Sequence, residues 1–452
     1  MSRSSRFLFA PVIALALAAF QSSPAEAAGP GPLIALAPPA PGVEPDTFFG
    51  NAIAMDNDTA FVSATETAAG GTVYVFVRDG ALWRPHPATP QLSVTAPGLV
   101  ADDQFGTALA LSGTTLIVGA PGRAQGKGSV YVFRRSGAVS SAWLQSGDPV
   151  VASGLDNEDS FGVAVALSGD TAVIGAPNDD NDQSSISDVG AAYVYLRTGT
   201  SPDVWTLQKK ITPAVPGGQT LIASGRFGSS VGVSGDAALV GALGQLTSGG
   251  TGFANVTSFL RTGTTWSSGT ALAPLGPNPD DDAFGLAIAM AGNRALVGAP
   301  HANSFAGVVD AYELVGTSWV GRGEFASPNS VSDGQFGNAI AIAGTRAAVA
   351  ASQENDGFGQ GYLYALPPSC SGASCVWGVD GGAWSPAGSL RGFGRSIALS
   401  ANAVMGGDDN NEAFFGSLGA RTTPVLGVSG LSALGVLLGV CSAVALRRRR
   451  SA

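Results

Sequence analysis

"DQFGTALALSGTTLIVGAP" runs from Asp103 to Pro121. It is apolar, rich in alanine and glycine, and its pattern recurs. Phe-Gly followed by alternating small and large residues appears as "TFFGNAIAM", "DQFGTALAL", "DSFGVAVAL", "GRFGSSVGV", "DAFGLAIAM", "GQFGNAIAI" and "RGFGRSIAL". The glycines of these seven copies are Gly50, Gly106, Gly162, Gly228, Gly285, Gly337 and Gly394. Their spacing of about 56 residues is the signature of an array of equivalent supersecondary units.

One unit reads as four short strands. In the second copy "TALALSG", "TTLIVGAP", "GKGSVYVFRR" and "SAWLQSGDPVVAS" are β-branched and aromatic runs divided by turn signals. Strand alternation places Ala52, Ala108, Ala164, Ser230, Ala287, Ala339 and Ser396 on one face. The next residues on that face are Ala54, Ala110, Ala166, Gly232, Ala289, Ala341 and Ala398. All fourteen are tiny. A face without bulk in every copy must lie against close backbone, so the first strand is innermost and the units surround an axis. The expected fold is all-β: a seven-bladed β-propeller of four-stranded antiparallel blades. Six tryptophans, Trp83, Trp143, Trp205, Trp266, Trp319 and Trp384, are expected to open the fourth strand of blades one to six, leaving Trp377 outside the pattern. The seventh copy has no such tryptophan, and "PLIALAP" precedes the first copy unmatched. Leu33–Pro38 is therefore expected to pair with Ala413–Leu418 and close the ring, which removes an open edge.

The ends read differently. Residues 1–27 carry Arg3 and Arg6, an apolar run and the small-residue site Ala25-Glu26-Ala27, as in a secretory signal peptide. Val425–Leu446 is 22 residues without a charge, followed by Arg447–Arg450. That is long enough for a transmembrane helix with a basic cytoplasmic tail at 447–452. The propeller, 33–420, is thus expected outside the cytoplasm. Six of the 23 basic residues and one of the 33 acidic ones lie in these ends, so the body is more acidic than the whole chain's −10, near −15. Nucleic acid is a poor partner for such a surface.

The chemistry-bearing residues are few. Cys370 and Cys375 sit in "PPSCSGASCVWG", where an oxidising compartment favours a short-loop disulfide; Cys441 lies in the apolar segment. The two histidines, His86 and His301, have no metal-spaced or nucleophilic companion and read as surface residues. No catalytic constellation is visible, although carboxylates from different blades could still meet at the channel. Asp180, Asp182, Ser184 and Asp188 match positions 1, 3, 5 and 9 of a Ca²⁺ loop. The central glycine and the final glutamate of such a loop are missing, so a solvated turn on a blade rim is the alternative. Asp103, Asp159 and Asp282, just before Phe-Gly, read as turn formers.

These units resemble the FG-GAP repeats of integrin α-chain propellers. They are most similar to a bacterial FG-GAP pattern, Phe-Gly-x-Ala-Val-Ala-Leu-Ser-Gly-Asp-x-Ala-Val-Val-Gly-Ala-Pro, which "DSFGVAVALSGDTAVIGAP" follows closely. The resemblance implies extracellular recognition or adhesion of a protein or glycan ligand. An exported propeller hydrolase or lyase acting on polysaccharide is the alternative, and a passive surface-layer protein a third. Several integrin-type blades hold Ca²⁺ in a nine-residue loop between their first two strands. Here that connection is a tight turn in every copy, so the role does not carry over. Thr422–Pro424, the apolar segment and the arginine cluster together resemble tripartite sorting tails, but without their Pro-Glu-Pro signature.

Overall fold

The computed structural model describes residues 30–38, 48–92, 98–180, 187–200, 203–213, 223–244, 255–276, 283–367, 376–386, 391–409 and 411–418. Residues 1–27 and 425–446, and all three cysteines, lie outside them. Among the described residues no helix is long and apolar enough to cross a membrane.

Seven four-layered antiparallel sheets are present. Blade one pairs Phe49–Met55, Thr59–Ala64, Thr72–Asp79 and Leu82–Pro85 in chain order. The first strands of blades two to seven are Leu109–Ser112, Val165–Ser168, Phe227–Ser234, Ile288–Ala291, Phe336–Ala343 and Ser396–Leu399. Each lies against the first strands of both neighbours, which closes a ring around the axis. Blade four divides its outer layer into Thr265–Trp266 and Thr270–Leu272, both paired with Asn255–Thr262. Blade seven takes its fourth strand from the N-terminal side: Ile34 faces Phe415, Ala35 faces Phe414 and Leu36 faces Ala413. The expected closure is observed.

The repeated motif is a docking device between blades. The residue before each Phe-Gly phenylalanine adopts a left-handed conformation, as Gln104 (φ 56°) and Ser160 (φ 60°) show. This turn aims the phenylalanine inward; Phe105, Phe161, Phe227 and Phe336 are at most 1% exposed. It also hangs their backbone on the preceding blade, Phe105 N–H donating to Gly70 O at 2.8 Å and Phe161 N–H to Lys127 O at 3.1 Å. The glycine of Gly-Ala-Pro receives the next blade: a Cβ on Gly119 would sit 1.9 Å from Gly162 O, and one on Gly175 1.9 Å from Gly228 O. At these two positions no other residue fits without moving backbone, whereas blades one and six place Ser63 and Ala350 there, against Gly106 and Gly394.

The tiny residues have two causes, only one of which was expected. The first set does face close backbone: the hydroxyls of Ser230 and Ser396 donate to Gly285 O and Gly50 O of the next blade. The second set instead receives large side chains from the neighbouring inner strand. A Cβ on Gly232 would lie 2.8 Å from Ile288 Cγ2 and 3.0 Å from Met290 Sδ.

A second inter-blade contact divides the molecule. Arg78, Arg135, Arg197, Arg261, Leu314, Leu366 and Leu418 are equivalent, each donating its backbone N–H to the carbonyl of its blade's first turn. Arg135, Arg197 and Arg261 reach back to the hydroxyls of Thr59, Thr115 and Thr171, at 2.8, 3.0 and 2.9 Å, at the start of the preceding blade's second strand. Each also lies over the tryptophan of its own outer strand, Trp143, Trp205 or Trp266.

The same register corrects the tryptophan assignment in blade six. Tyr364 pairs with Val379 and Ala365 with Gly378, which sets Trp377 beside Leu366, where Trp143 stands beside Arg135. Trp384 bridges Gly361, as Val150 bridges Val130 in blade two. Trp377, not Trp384, is therefore the outer-strand tryptophan. This connection has ten residues between Leu366 and Trp377, against seven between Arg135 and Trp143, which misled the spacing.

Candidate functional site

Loops joining second to third strands, and fourth to first, meet at one end of the propeller. There the aspartates before Phe-Gly do form turns: Asp103 accepts from Val100 N–H at 2.8 Å and Asp159 from Asp156 N–H at 2.6 Å. Their surroundings differ. Asp103 is paired with Arg123 at 2.7 Å. The residue equivalent to Arg123 in the next blade is Asp179, so a carboxylate stands where the cation was. Asp179 is held by the Tyr193 hydroxyl and by Lys210 Nζ at 3.0 Å. Burial raises the Asp159 carboxyl to about 6; the Asp156 N–H offsets part of this, and the charges of Asp179, Asp156 and Asp180 add to it. Burial, then its bond to Asp179, raises the Tyr193 phenol far above its usual range. Asp159 is only 4% exposed. A carboxyl so enclosed is sensitive to pH but cannot reach a substrate as an acid or base does.

Of the proposed Ca²⁺ ligands, Asp180 and Asp188 are brought together, the Asp180 carboxylate accepting from Asp188 N–H at 2.9 Å. Asp182 and Ser184 lie outside the described residues, as do Asp282, Cys370 and Cys375. Among the described residues no group of three or more His, Cys, Asp or Glu side chains could hold a metal ion. His86 is not a surface residue: it is 1% exposed. Its Nδ1 accepts from Ala88 and Thr89 N–H, so its Nε2 donates to Val139 O at 3.0 Å in the next blade. It is a strut between blades one and two. His301 is partly exposed and packs on Phe305, in the left-handed turn Asn303–Ser304–Phe305.

Two concavities among the described residues open on the flank, where the outer strand of one blade meets the third-to-fourth hairpin of the next. The groove between blades two and three has a volume of about 530 Å³ and carries Asp148, Asp203, Tyr195 and Trp205. Asp203 is paired there with Arg134 at 3.3 Å. The groove between blades four and five, about 540 Å³, is lined by serines, threonines, apolar side chains, Trp266 and Trp319, without a charged residue. Sequence reading missed both, because each needs walls from two blades.

The FG-GAP repeat model matches residues 89–133 and 149–195. No curated protein matches the chain. Each matched segment starts near the outer edge of one blade and ends in the third strand of the next, which is the unit that the Phe-Gly docking joins. With that unit present in seven blades of one register, the chain carries FG-GAP repeats within a seven-bladed propeller.

Proposed function

We propose that this chain is an exported binding module that displays its propeller outside the cytoplasm and engages a protein or glycan ligand. In this reading residues 1–27 direct export, residues 425–446 span the membrane and residues 447–452 stay inside. Cys370 and Cys375 form a disulfide in the oxidising compartment. The observation that carries the binding role is where polar chemistry is spent. The enclosed Asp159, Asp179, His86 and Tyr193 are engaged with backbone and with one another. The open groove between blades four and five instead presents hydroxyls and the partly exposed Trp319, the lining of a recognition site.

The test joins location to turnover. In intact cells, external protease should remove the propeller while an epitope placed after Arg450 survives. Purified protein should retain a ligand without releasing new reducing ends or unsaturated sugars from polysaccharide. Release of either would favour the hydrolase or lyase, and protection of the propeller from protease would overturn the topology.

A further inference from the structure

The flank between blades four and five differs from the other groove in its chemistry. The lining contains no carboxylate, ammonium or guanidinium side chain, and the adjoining Lys209 ammonium is taken up by the carbonyls of Trp266 and Ser267 at 3.0 and 2.6 Å. Thr265, Thr270 and Thr317 are exposed along it. Ser258 lies deeper, its hydroxyl donating to Thr270 O at 3.1 Å and keeping its acceptor lone pairs. The partly exposed Trp319 supplies aromatic surface, while Trp266 lies buried behind it under the Arg261 guanidinium. The groove exists because the outer layer of blade four is broken: Gly269 (φ 93°) interrupts it, and a Cβ there would meet the Phe259 ring at 2.7 Å. The hairpin of blade five forms the other wall.

Those features exclude ligand classes in turn. A cation finds no carboxylate and an acidic polymer meets a negatively charged body. A peptide adding itself as a strand needs a longer edge than the two- and three-residue pieces offered here. What remains complementary is a ligand that is uncharged, dense in hydroxyls and able to lay C–H surface on an indole. We propose that this groove binds a neutral oligosaccharide. The proposal rests on the binding-module reading and names its ligand class and place.

The full-length chain in a sugar-free detergent is titrated with cellohexaose, xylohexaose, mannohexaose and maltohexaose, following tryptophan fluorescence and calorimetry. At least one should bind, and polygalacturonate should not. Thr270→Glu and Thr317→Glu, both exposed and checked for unchanged far-UV circular dichroism, should each weaken binding about tenfold or more, because a charge is placed against hydroxyls in a confined groove. Val151→Glu in the groove between blades two and three should leave it unchanged. If none of the four binds, or if binding survives both groove variants, the proposal is overturned. Binding that survives them but is lost in Val151→Glu keeps the binding-module reading and moves the site. Cleavage of the oligosaccharides overturns the binding-module reading itself.

Discussion

Blades two to four and blades five to seven share one backbone plan but lock together differently. In the first group an arginine reaches back to a threonine hydroxyl and lies over a tryptophan. In the second the equivalent residues are Leu314, Leu366 and Leu418, and the threonine position holds Ala237, Arg294 or Arg346. Arg294 and Leu366 line one small cavity, so at that junction the cation has moved to the other blade. Arg346 turns to Asp380 at 3.1 Å. The ring seam is mixed: Arg78 keeps its arginine, but blade seven presents Ala403, and its Nη1 is buried without a hydrogen-bond partner. One backbone geometry thus accepts a polar clasp, an apolar pair or a cation moved to the other blade. At the seam the threonine acceptor is missing and a buried donor of Arg78 is orphaned, which costs about 1–3 kcal/mol or more.

The seam is therefore the place where the comparison breaks most readily. Deleting residues 30–38 removes the strand that ties the last blade to the first, together with the buried Leu36. It leaves Ala413–Ser417 as a bare apolar edge. We expect the largest effect here: loss of the cooperative unfolding transition, with self-association in size-exclusion chromatography. A monomer with an unchanged denaturation midpoint would refute closure by this strand.

Arg197→Leu tests the clasp itself. It imports the residue of blades five to seven into a junction built for arginine. Thr115, Asp170 and the fully buried side chain of Asp203 lose a partner, although Arg134 still reaches Asp203. Breaking a buried pair costs about 3–5 kcal/mol, and the partial exposure of Arg197 reduces this to about 2–4. Urea denaturation should report that loss, and a cost near zero would show the clasp to be ornamental.

Asp159→Asn addresses the carboxylate that faces another carboxylate. The folded-state value, about 6, lies above the ordinary 3.8, so ionisation opposes folding. The contribution of Asp159 is full below pH 3.8 and is lost as pH rises through 6. At pH 8 the asparagine variant should be more stable, by up to about 3 kcal/mol at 1.36 kcal/mol per pH unit. The gain should vanish near pH 4. A gain that does not vary with pH would assign the effect to packing. Asp103→Asn, which removes the charge facing Arg123 and leaves it only the Gly98 carbonyl, should instead destabilise at pH 8.

A smaller effect sharpens the comparison from the other side. Ala237→Thr with Leu314→Arg rebuilds the clasp between blades four and five. Each single change should cost stability, and the pair should recover part of it through a coupling of about 0.5–3 kcal/mol in a double-mutant cycle. Additivity would mean that the two blades cannot approach as blades two and three do. The smallest effect is expected from chelation: EDTA should shift the melting temperature little. A large drop abolished by Asp182→Ala would make the Asp180–Asp188 loop a Ca²⁺ site.

The sequence by itself determined seven blades, four strands each, the tight turn between the first two strands and the closure by Leu33–Pro38. These properties repeat, and a local rule written seven times is legible without knowing what it touches. The phenylalanines, the two Phe-Gly aspartates and the glycines were found in the same way. Tertiary structure alone decided that Trp377 replaces Trp384, that His86 is an internal strut, that Asp159 faces Asp179 and that two grooves open on the flank. Each of these depends on a neighbouring blade. The clasps join residues 76, 82 and 90 positions apart, and their partners differ from junction to junction. Repetition encodes the blade, whereas the individual junctions, where the copies diverge, carry the chemistry.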